Sequence, residues 1–219
     1  DEALDLSEIP SSLLIIGGGV IGCEFAGLFS VLGTRVTIIE KMQQLLPTED
    51  KDIARKLEVI FNKKGIKVVT GADISDFDLK NYSKVLVCTG RAPNIHESGL
   101  QESGIEFKDN RIVLDNYLKT NLDNIYAAGD CTARMMLAHY AAYQGVVAVE
   151  NMFSEKKQMA DNSVVPACIF TDPQIASVGI REGEALASDL RIKVYKFDFR
   201  ANAMAHIIEE TEGFVKIIT

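Results

Sequence analysis

The stretch that decides the fold is "SLLIIGGGVIGCEFAGLFSVLG", from Ser12 to Gly33. It opens with a short apolar run, Ser12 to Ile16, which is typical of a buried strand, and three glycines follow directly. Beyond the glycines an apolar helical pattern continues to Gly33, a residue type that commonly closes helices. The stretch therefore predicts a strand, a tight turn and a helix in direct succession.

The flanking segments continue the alternation of strand and helix. A second apolar strand, "RVTIIE", runs from Arg35 to Glu40, and Asp50 or Thr48 can cap the helix that follows. On that helix Ile53, Leu57, Ile60 and Phe61 share one face, and residues 63–65, "KKG", are typical of its end. Further strands are predicted at Ile66 to Val69, Ser83 to Cys88 and Asn124 to Ala128. This alternation predicts an α/β fold with a parallel sheet covered on both faces.

The pattern changes in the last third of the chain. A long helix is predicted from Met136 to Phe153, and the polar residues 154–163 are typical of a linker. Three more strands are predicted at Val164 to Phe170, Ile192 to Phe199 and Gly213 to Thr219. One helix, "REGEALASDL", lies between the first two of them, which indicates an α+β unit. Because the sequence stops inside a strand-like run, we expect this unit to be truncated.

Composition and charge exclude several classes of function. The formal net charge is −8 and there is no basic cluster, which argues against nucleic acid or an anionic membrane as partner. No apolar run approaches the roughly 20 residues of a membrane helix, and no signal peptide is recognisable. The cysteines are too widely spaced for a CxxC or CxxxxC pair, and no cluster of side chains suggests a metal site. We expect reduced, mostly buried thiols in a cytoplasmic protein.

The glycines form a spacing that carries chemistry. Gly17, Gly19 and Gly22 give GxGxxG between the predicted strand and helix, and Ala26 continues the small-residue spacing along that helix. Glycines let the backbone approach a pyrophosphate, while the helix N-terminus stabilises its negative charge. The competing interpretation is a glycine turn that binds no ligand. The strand and helix on either side of the motif favour dinucleotide binding.

Glu40 ends the second strand, 18 residues after Gly22. A carboxylate at this position can accept hydrogen bonds from both hydroxyls of an adenosine ribose. It would also repel a 2′-phosphate, so the sequence favours NAD over NADP. Lys41 is the one basic neighbour and weakens this preference slightly.

Glu24 lies two residues past Gly22, in the predicted first turn of the helix. Its carboxylate can complement the helix dipole there, which is a purely structural role. It can equally reach toward the nicotinamide end of a bound dinucleotide. Position alone leaves both interpretations open.

Five stretches of the chain resemble one enzyme family, the pyridine nucleotide–disulfide oxidoreductases, and within it the dihydrolipoamide dehydrogenases. The matching stretches are "IIGGGVIGCEFA", "VLVCTGRAPN", "NIYAAGDCT", "MLAH" and "FTDPQIASVG". They span almost the whole chain in the family's order. Two of them, "YAAGDCT" and "FTDPQIASVG", are also similar to mercuric reductases, so a mercuric or other disulfide reductase remains an alternative.

The resemblance implies a set of NAD contacts. The residues that would line the pyrophosphate and the nicotinamide ribose are Gly17, Gly18, Gly19, Val20, Ile21, Gly22, Cys23 and Glu24. Glu40 would hold the adenosine ribose, Ile74 would touch the adenine side, and Gly90 would lie against the NAD. For Glu24 the resemblance favours the functional interpretation.

The resemblance also implies a second cofactor, FAD. Asp130 would bind the ribitol chain of the flavin. Met136, Leu137, Ala138 and His139 would run beside the isoalloxazine ring, with a main-chain contact from Ala138. The competing interpretation of Asp130 is a cap that accepts hydrogen bonds from the backbone N–H groups of the residues after it.

The implied architecture is a Rossmann-like NAD-binding domain with parts of two others. Residues 1–118 would form the NAD-binding domain, 119–162 the returning segment of an FAD-binding domain, and 163–219 an incomplete α+β interface domain. The chain departs from the family in lacking the FAD's own strand–GxGxxG–helix, the redox-active cysteine pair and the terminal His–Glu pair. The segment Asp73 to Ser83 is also short for the hairpin expected there.

The implied activity belongs to a parent enzyme larger than this chain. There, dihydrolipoamide would reduce the cysteine pair, and electrons would pass through FAD to NAD⁺. The implied partners are a second copy of the chain, as a homodimer, and the lipoyl domain of a 2-oxoacid dehydrogenase or glycine cleavage complex. This chain carries no catalytic residue for the dithiol step, so we expect it to be inactive alone. The remaining alternative is a non-catalytic NAD-binding module.

Overall fold

The computed structural model describes residues 2–95 and 99–219. The chain forms two compact units, one made of Asp1–Gly90 together with Cys168–Thr219, and the other of Arg91–Ala167. Within the described ranges, none of the helices combines the length and the apolar character that crossing a lipid bilayer requires.

The first unit contains a four-stranded parallel sheet. In chain order its strands are β1 (Ser12–Ile16), β2 (Arg35–Glu40), β3 (Lys67–Thr70) and β4 (Lys84–Val87). They lie side by side in the order β3-β2-β1-β4, and every pairing is parallel. Helix α1 (Val20–Val31) connects β1 to β2, and α2 (Lys51–Lys63) connects β2 to β3. The predicted Rossmann-like α/β fold is confirmed.

The core of this unit packs both helices against the same side of the sheet. Leu13 and Ile15 of β1 share one apolar cluster with residues of α1 and α2. The faces of β1 and β2 are buried on both sides, as predicted. Strand β4 differs, because Val85 and Val87 are exposed. The segment before β4 contains only two single-turn 3₁₀ helices, Ile74–Asp76 and Leu79–Asn81, which leave this part of the sheet uncovered.

The buried face of helix α2 agrees with its sequence pattern except in the first turn, where Ala54 is buried instead of Ile53. Leu57, Ile60 and Phe61 are buried as predicted, but Ile53 is only half-buried and Ala54 takes the buried position. The small side chain of Ala54 lets the first turn of the helix approach the core closely, so the larger Ile53 lies at the edge.

Asp50 precedes α2 at the predicted position, but it does not cap the helix with its side chain. Its Oδ1 accepts from the backbone N–H of Glu182 at 2.9 Å, and its Oδ2 accepts from Lys216 Nζ at 2.9 Å. The predicted cap is therefore wrong. A buried ammonium group competes for the carboxylate more strongly than the helix N–H groups do.

The second unit consists of a short hairpin, a long helix and irregular segments. Strands β5 (Phe107–Lys108) and β6 (Arg111–Ile112) pair antiparallel, and α3 spans Ala138–Phe153, close to its predicted bounds. The polar residues 154–163 form neither helix nor strand, as predicted for a linker. They are nevertheless anchored, because buried Asn151 accepts from the Gln158 N–H at 2.7 Å and donates to its carbonyl at 2.8 Å.

The predicted strand from Asn124 to Ala128 is wrong. Only one isolated antiparallel bridge forms there, between Tyr126 and Lys119. Leu118 and Asn124 both have left-handed backbone, with φ of 68° and 62°. Left-handed backbone interrupts the extended conformation at both positions, so the pairing does not continue into a longer ladder.

The segment that follows α3 returns to the first unit. It contains β7 (Ala167–Ile169), β8 (Ile175–Ser177), α4 (Glu182–Ala187), β9 (Val194–Asp198), α5 (Ala203–Ile207) and β10 (Phe214–Ile218). β7 pairs with β8, and β9 pairs antiparallel with β10. The three predicted strands and α4 are present. The sequence pattern missed β8 and α5, because elements of three and five residues are too short to show a period.

Candidate functional site

The turn after β1 contacts the main chain near the ends of both neighbouring strands, β2 and β4. Gly17 has a φ of +108°, and a Cβ built on it would lie 2.4 Å from the carbonyl oxygen of Cys88, just after β4. Its N–H donates to the carbonyl of Ile39 in β2 at 2.8 Å. Only glycine fits here, because Gly17 has left-handed backbone and also lies close to the main chain at Cys88.

Gly22 and Gly19 have opposite surroundings. A Cβ on Gly22 would lie 2.0 Å from the carbonyl oxygen of Gly17, so α1 packs directly on the turn. A Cβ on Gly19 would meet nothing within 4 Å, so the space in front of the helix is open. The motif therefore packs the helix against the turn at Gly22 and leaves the N-terminus of the helix accessible at Gly19.

The N-terminus of α1, which follows Gly19, has no side-chain cap and no acidic residue in its own first turn. The first N–H groups of a helix have no intrahelical acceptor, so those of Val20, Ile21 and Gly22 are available to a ligand. Val20 and Ile21 are exposed. Free N–H groups, the helix dipole and the open space together fit a pyrophosphate.

Glu40 lies beside this turn at the end of β2 and is almost completely buried. Its Oε2 accepts from the Gly18 N–H at 2.6 Å, and its Oε1 accepts from the Met42 N–H at 2.7 Å. Each carboxylate oxygen retains a second lone pair for a ribose hydroxyl. Sequence reasoning gave Glu40 only a ribose contact, whereas the structure also makes it the support of the glycine-rich turn.

Ile74 and Gly90 lie at the same edge of the sheet. The Ala72 N–H donates to the carbonyl of Glu40 at 3.1 Å, and exposed Ile74 follows two residues later. Gly90 follows β4 with a φ of +127° and has open space around it. In an open parallel sheet, ligands bind at the carboxyl ends of the strands. The glycine-rich turn, Glu40, Ile74 and Gly90 therefore lie at or just beyond the carboxyl ends of the strands.

Glu24 is not in the first turn of its helix. Because α1 begins at Val20, Glu24 is its fifth residue, beyond the range of the helix-terminal charge. Its Oε1 accepts from the Phe170 N–H at 2.8 Å. The interpretation of Glu24 as a dipole partner is therefore weakened, and its nicotinamide role stays a prediction.

Cys23 is a packing residue within the motif. It is completely buried, and its Sγ lies 3.3 Å from the carbonyl of Gly18. Burial raises the pKa of its thiol to about 12, and the carboxylates of Glu40 and Glu24 add to the effect. Burial also raises the pKa of Cys88 and Cys131. All four cysteines are free, as predicted, but only Cys23 is fully buried.

We expect thiol reagents to distinguish these cysteines sharply. With a pKa of about 12, only about one Cys23 in ten thousand is a thiolate near pH 8, whereas Cys168 is exposed. Iodoacetamide should therefore modify Cys168 first and leave Cys23 intact in the folded chain, as mass spectrometry of its peptides would show. Cys168→Ser should remove the fast phase. Rapid alkylation of Cys23 in the folded protein would contradict this assignment.

In the second unit, the Asp130 carboxylate makes no hydrogen bond or ion pair with residues 2–95 and 99–219. Asp130 follows Gly129, begins a single 3₁₀ turn, Asp130–Thr132, and is exposed. The N–H of Thr132 donates to the carbonyl of Gly129, and that of Ala133 donates to the main-chain carbonyl of Asp130, both at 3.0 Å. The interpretation of this carboxylate as a cap is therefore wrong. Asp130 does not end a parallel strand either, because the strand predicted before it does not form.

The residues predicted to lie beside a flavin are contiguous at the start of α3. Leu137 precedes the helix without a side-chain cap, and the first turn contains no acid. Met136 and Leu137 are half-buried, and Ala138 is exposed, with its main-chain N–H unengaged by the helix. One ring nitrogen of His139 lies 2.8 Å from the carbonyl of Pro166. An apolar surface beside free N–H donors fits a flat ring with an acceptor edge.

Sequence reasoning missed Gln144. This side chain is completely buried, and its Oε1 accepts from the Gly129 N–H at 2.8 Å. Its Nε2 has no hydrogen-bond partner among the described residues. Gln144 shares the buried face of α3 with Tyr140 and Asn151, so a polar residue at a buried helical spacing was the available signal. The unsatisfied amide of Gln144, and the carboxylate of Asp130 that follows its partner Gly129 in the sequence, fit a hydroxyl-bearing ligand.

Metal chemistry has no comparable support in the described part of the chain. Across residues 2–95 and 99–219, no three His, Cys, Asp or Glu side chains group so that they could hold a metal ion.

Comparison with known proteins gives two family matches. The family described as "Pyridine nucleotide-disulphide oxidoreductase" matches residues 1–145, and its dimerisation domain matches residues 165–219. Among curated relatives, the dihydrolipoyl dehydrogenase of Bacillus subtilis (strain 168) is 39% identical and covers 100% of this chain and 50% of its own length. The dihydrolipoyl dehydrogenase of Chlamydia muridarum is 40% identical over 99% of this chain and 49% of its own length.

Solved structures give the same relationship. The HOCl-induced flavoprotein disulfide reductase RclA from Escherichia coli has a TM-score of 0.89 and 29% identity, over 99% of this chain and 53% of its own. LpdA from Mycobacterium tuberculosis has a TM-score of 0.87 and 32% identity, over 98% of this chain and 50% of its own.

The chain spans about half the length of the curated relatives it matches. The alignment with the B. subtilis relative extends over 237 residues, more than the 219 of this chain, so that relative contains internal residues with no counterpart here. The family match over residues 1–145 includes the glycine-rich turn, Glu40 and the Asp130 segment. On this evidence the chain belongs to the pyridine nucleotide-disulphide oxidoreductase family.

Proposed function

We propose that this chain is the NAD-binding part of a flavoprotein dihydrolipoamide dehydrogenase. The observation that carries the proposal is the open, uncapped N-terminus of α1, supported by Gly22 and flanked by the buried carboxylate of Glu40. Relatives named dihydrolipoyl dehydrogenase, at 39% and 40% identity over nearly the whole chain, support the choice of enzyme. In the complete enzyme, bound FAD and NAD would supply the redox chemistry by which a dithiol is oxidised to a disulfide, with hydride transferred between the two cofactors.

In this proposal each group of the site has a separate task. The N–H groups of Val20, Ile21 and Gly22 bind the pyrophosphate, and Glu40 accepts from the adenosine ribose while it supports Gly18. Gly90, on which a Cβ would meet nothing within 4 Å, would leave room for the dinucleotide near the end of β4. Bound NAD supplies the hydride acceptor, and the chain supplies its binding and orientation.

The second unit contributes to the flavin in the same proposal. Asp130 accepts from ribitol hydroxyls, and Met136 to His139 present an apolar surface and main-chain donors to the ring. Functionally, residues 1–118 form the NAD-binding domain, 119–162 the returning FAD segment, and 163–219 the interface domain. The match of residues 165–219 to a dimerisation domain supports a homodimer.

The further partners and the location are also proposals. A lipoyl domain of a 2-oxoacid dehydrogenase or glycine cleavage complex would deliver the dithiol, which the relatives named dihydrolipoyl dehydrogenase support. Four free cysteines support a reducing compartment, and we propose the cytoplasm.

A second candidate is a disulfide reductase with another substrate. The observation that favours it is the TM-score of 0.89 with RclA, a flavoprotein disulfide reductase. Both candidates use the same dinucleotide site, so NADH binding does not separate them. Turnover of dihydrolipoamide against other disulfides and Hg(II), by the complete enzyme that carries this chain, does.

The chain should bind NADH more tightly than NADPH. Glu40 offers a charge-assisted hydrogen bond to a ribose hydroxyl, worth roughly 1.5–3 kcal/mol, and a 2′-phosphate would forfeit it, so we expect a preference of about 10- to 150-fold. Calorimetric titration of both cofactors against wild type and Glu40→Ala measures this preference, which the variant should lose. Glu40→Gln keeps an oxygen that can accept from the Gly18 N–H but loses the negative charge. It therefore distinguishes the support of the turn from the charge-dependent recognition of the ribose.

Glu155→Ala is the matched control, because Glu155 is exposed and lies outside the site. It should leave both affinities unchanged. Equal affinities of the wild-type chain for NADH and NADPH would overturn the role of Glu40.

A further inference from the structure

The segment from Lys41 to Asp50 links β2 to α2 and lies on the glycine-rich turn. The N–H of Leu46 donates to the carbonyl of Gly18 at 2.8 Å. Leu45 is completely buried, and its Cδ2 lies 2.5 Å from the place that a Cβ on Gly18 would occupy. This segment therefore contacts the turn through a main-chain hydrogen bond and through side-chain packing.

The hydrogen bond to Gly18 affects the direction of the next N–H group. In a trans peptide the carbonyl and the following N–H point in opposite directions, so the bond from Leu46, which is shorter than the 3.3 Å contact from Cys23 Sγ, helps to set where the Gly19 N–H points. The Gly18 N–H is held on its other side by Glu40. The space beside Gly19 is open. Leu46 therefore orients the peptide group that leads directly into the first turn of α1.

Leu46 adopts an unfavourable backbone conformation to do this. Its φ is +47°, in the left-handed region that is unfavourable for a non-glycine residue. Its carbonyl accepts from the Glu49 N–H at 2.8 Å, and Gln44 Nε2 donates to the Glu49 carbonyl at 3.1 Å. The conformation of Leu46 therefore depends on Glu49 being held in place.

Glu49 is held by a residue distant in sequence. Arg181 Nε donates to its Oε2 at 3.1 Å, and Arg181 Nη2 donates to its Oε1 at 3.0 Å, which is a two-pronged ion pair. The Glu49 side chain is only 4% exposed. Ser177 also donates to Glu49, and the Gly179 carbonyl accepts from Arg181 at 2.8 Å. Arg181 is therefore oriented by the Gly179 carbonyl of its own segment while it donates both hydrogen bonds to the Glu49 carboxylate.

We propose that Arg181 is a positioning residue for the dinucleotide site, which it reaches through Glu49, Leu46 and the Gly18 carbonyl. Residues from the last part of the chain thereby set the affinity of a site formed by its first part. This inference rests on the proposed function, because it assumes that the glycine-rich turn binds NAD.

The test measures NADH affinity of the 219-residue chain at a temperature well below unfolding. Arg181→Met should raise the Kd for NADH about tenfold, as expected for the loss of a support that acts through a chain of contacts. Arg181→Lys keeps the charge but loses the fork, so it should raise the Kd by a smaller factor. Glu212→Gln is the control, because Glu212 pairs with Lys56 and Lys63 on α2 and not with this segment. It should leave the Kd unchanged.

A second measurement separates positioning from general stability. Hydrogen exchange of the Leu46 amide should accelerate in Arg181→Met, while amides of β1 keep their protection. If Arg181→Met does not fold, Arg181→Lys and Glu49→Gln carry the same comparison. An unchanged Kd in folded Arg181 variants, with only a lower Tm, would overturn the inference and leave the proposed function standing. Failure of the wild-type chain to bind NADH would overturn the proposed function, and this inference with it.

Discussion

Gly22→Ala should abolish measurable NADH binding by this chain and lower its stability. A Cβ at this position would lie 2.0 Å from the carbonyl oxygen of Gly17, which is main chain and cannot rotate away. Gly17 is itself fixed by its hydrogen bond to Ile39 in the sheet. The helix would have to move off the turn, at a cost of about 1–3 kcal/mol, and the N–H groups that we propose bind the pyrophosphate would move with it.

Gly27→Ala is the matched control in the same helix. A Cβ on Gly27 would meet nothing within 4 Å, and alanine in a helix interior is favoured over glycine by about 0.5–1 kcal/mol. This variant should bind NADH normally and unfold at a slightly higher temperature. Calorimetry and thermal unfolding of both variants give the comparison. Wild-type affinity in Gly22→Ala would show that the turn does not position the ligand.

Lys216→Met should lower the free energy of unfolding by about 3–5 kcal/mol. The Lys216 side chain is only 5% exposed and contacts three carboxylates, those of Asp50, Asp52 and Glu182. Removal of the ammonium leaves these carboxylates close together without their shared cation. Chemical denaturation measures the loss, and Lys193→Met, at an exposed position, is the control. A change below about 1 kcal/mol would show that solvent screens this cluster as it screens surface pairs.

The pKa values of Lys216 and Asp52 determine the pH range over which this cluster stabilises the folded chain. Burial works to lower the pKa of Lys216, but Glu182 and Asp50 outweigh it, so the pKa lies above the usual 10.5. Burial works to raise the pKa of Asp52, but Lys196 and Lys216 outweigh it and hold the pKa below 3.8. The Lys216 contribution is complete below about pH 10 and is lost as pH rises through the raised pKa. The Asp52 contribution is complete above about pH 4 and is lost as pH falls through the lowered pKa, so the deficit of Lys216→Met should be largest between these limits.

Sequence reasoning predicted the structure around the candidate site where short-range rules determine it. The strand, the glycine turn and the helix from Ser12 onward form as predicted, because their spacing and the glycine requirement are local properties. Glu40 ends its strand beside the turn, since the carboxyl ends of neighbouring parallel strands meet. Periodicity and turn chemistry were sufficient for this part.

The remainder depends on partners far apart in the sequence. The pair of Glu49 with Arg181 spans 132 residues, and Asp50 meets Lys216 rather than the helix it precedes. No local pattern specifies these contacts, so the predicted cap failed. The predicted strand before Asp130 failed for a related reason, because an apolar run becomes a strand only when a neighbour pairs along its length.

The central claim is that the N-terminus of α1 binds the pyrophosphate of NAD, and amide chemical shifts test it most directly. In a ¹⁵N-labelled sample of the 219-residue chain, added NADH should shift the amide signals of Gly19, Val20, Ile21 and Gly22 most strongly, with smaller shifts at Met42 and Gly90. Amides of β9 and β10 should not move. Saturating NADH that leaves the Gly19 to Gly22 signals in place, or shifts residues elsewhere instead, would contradict the account.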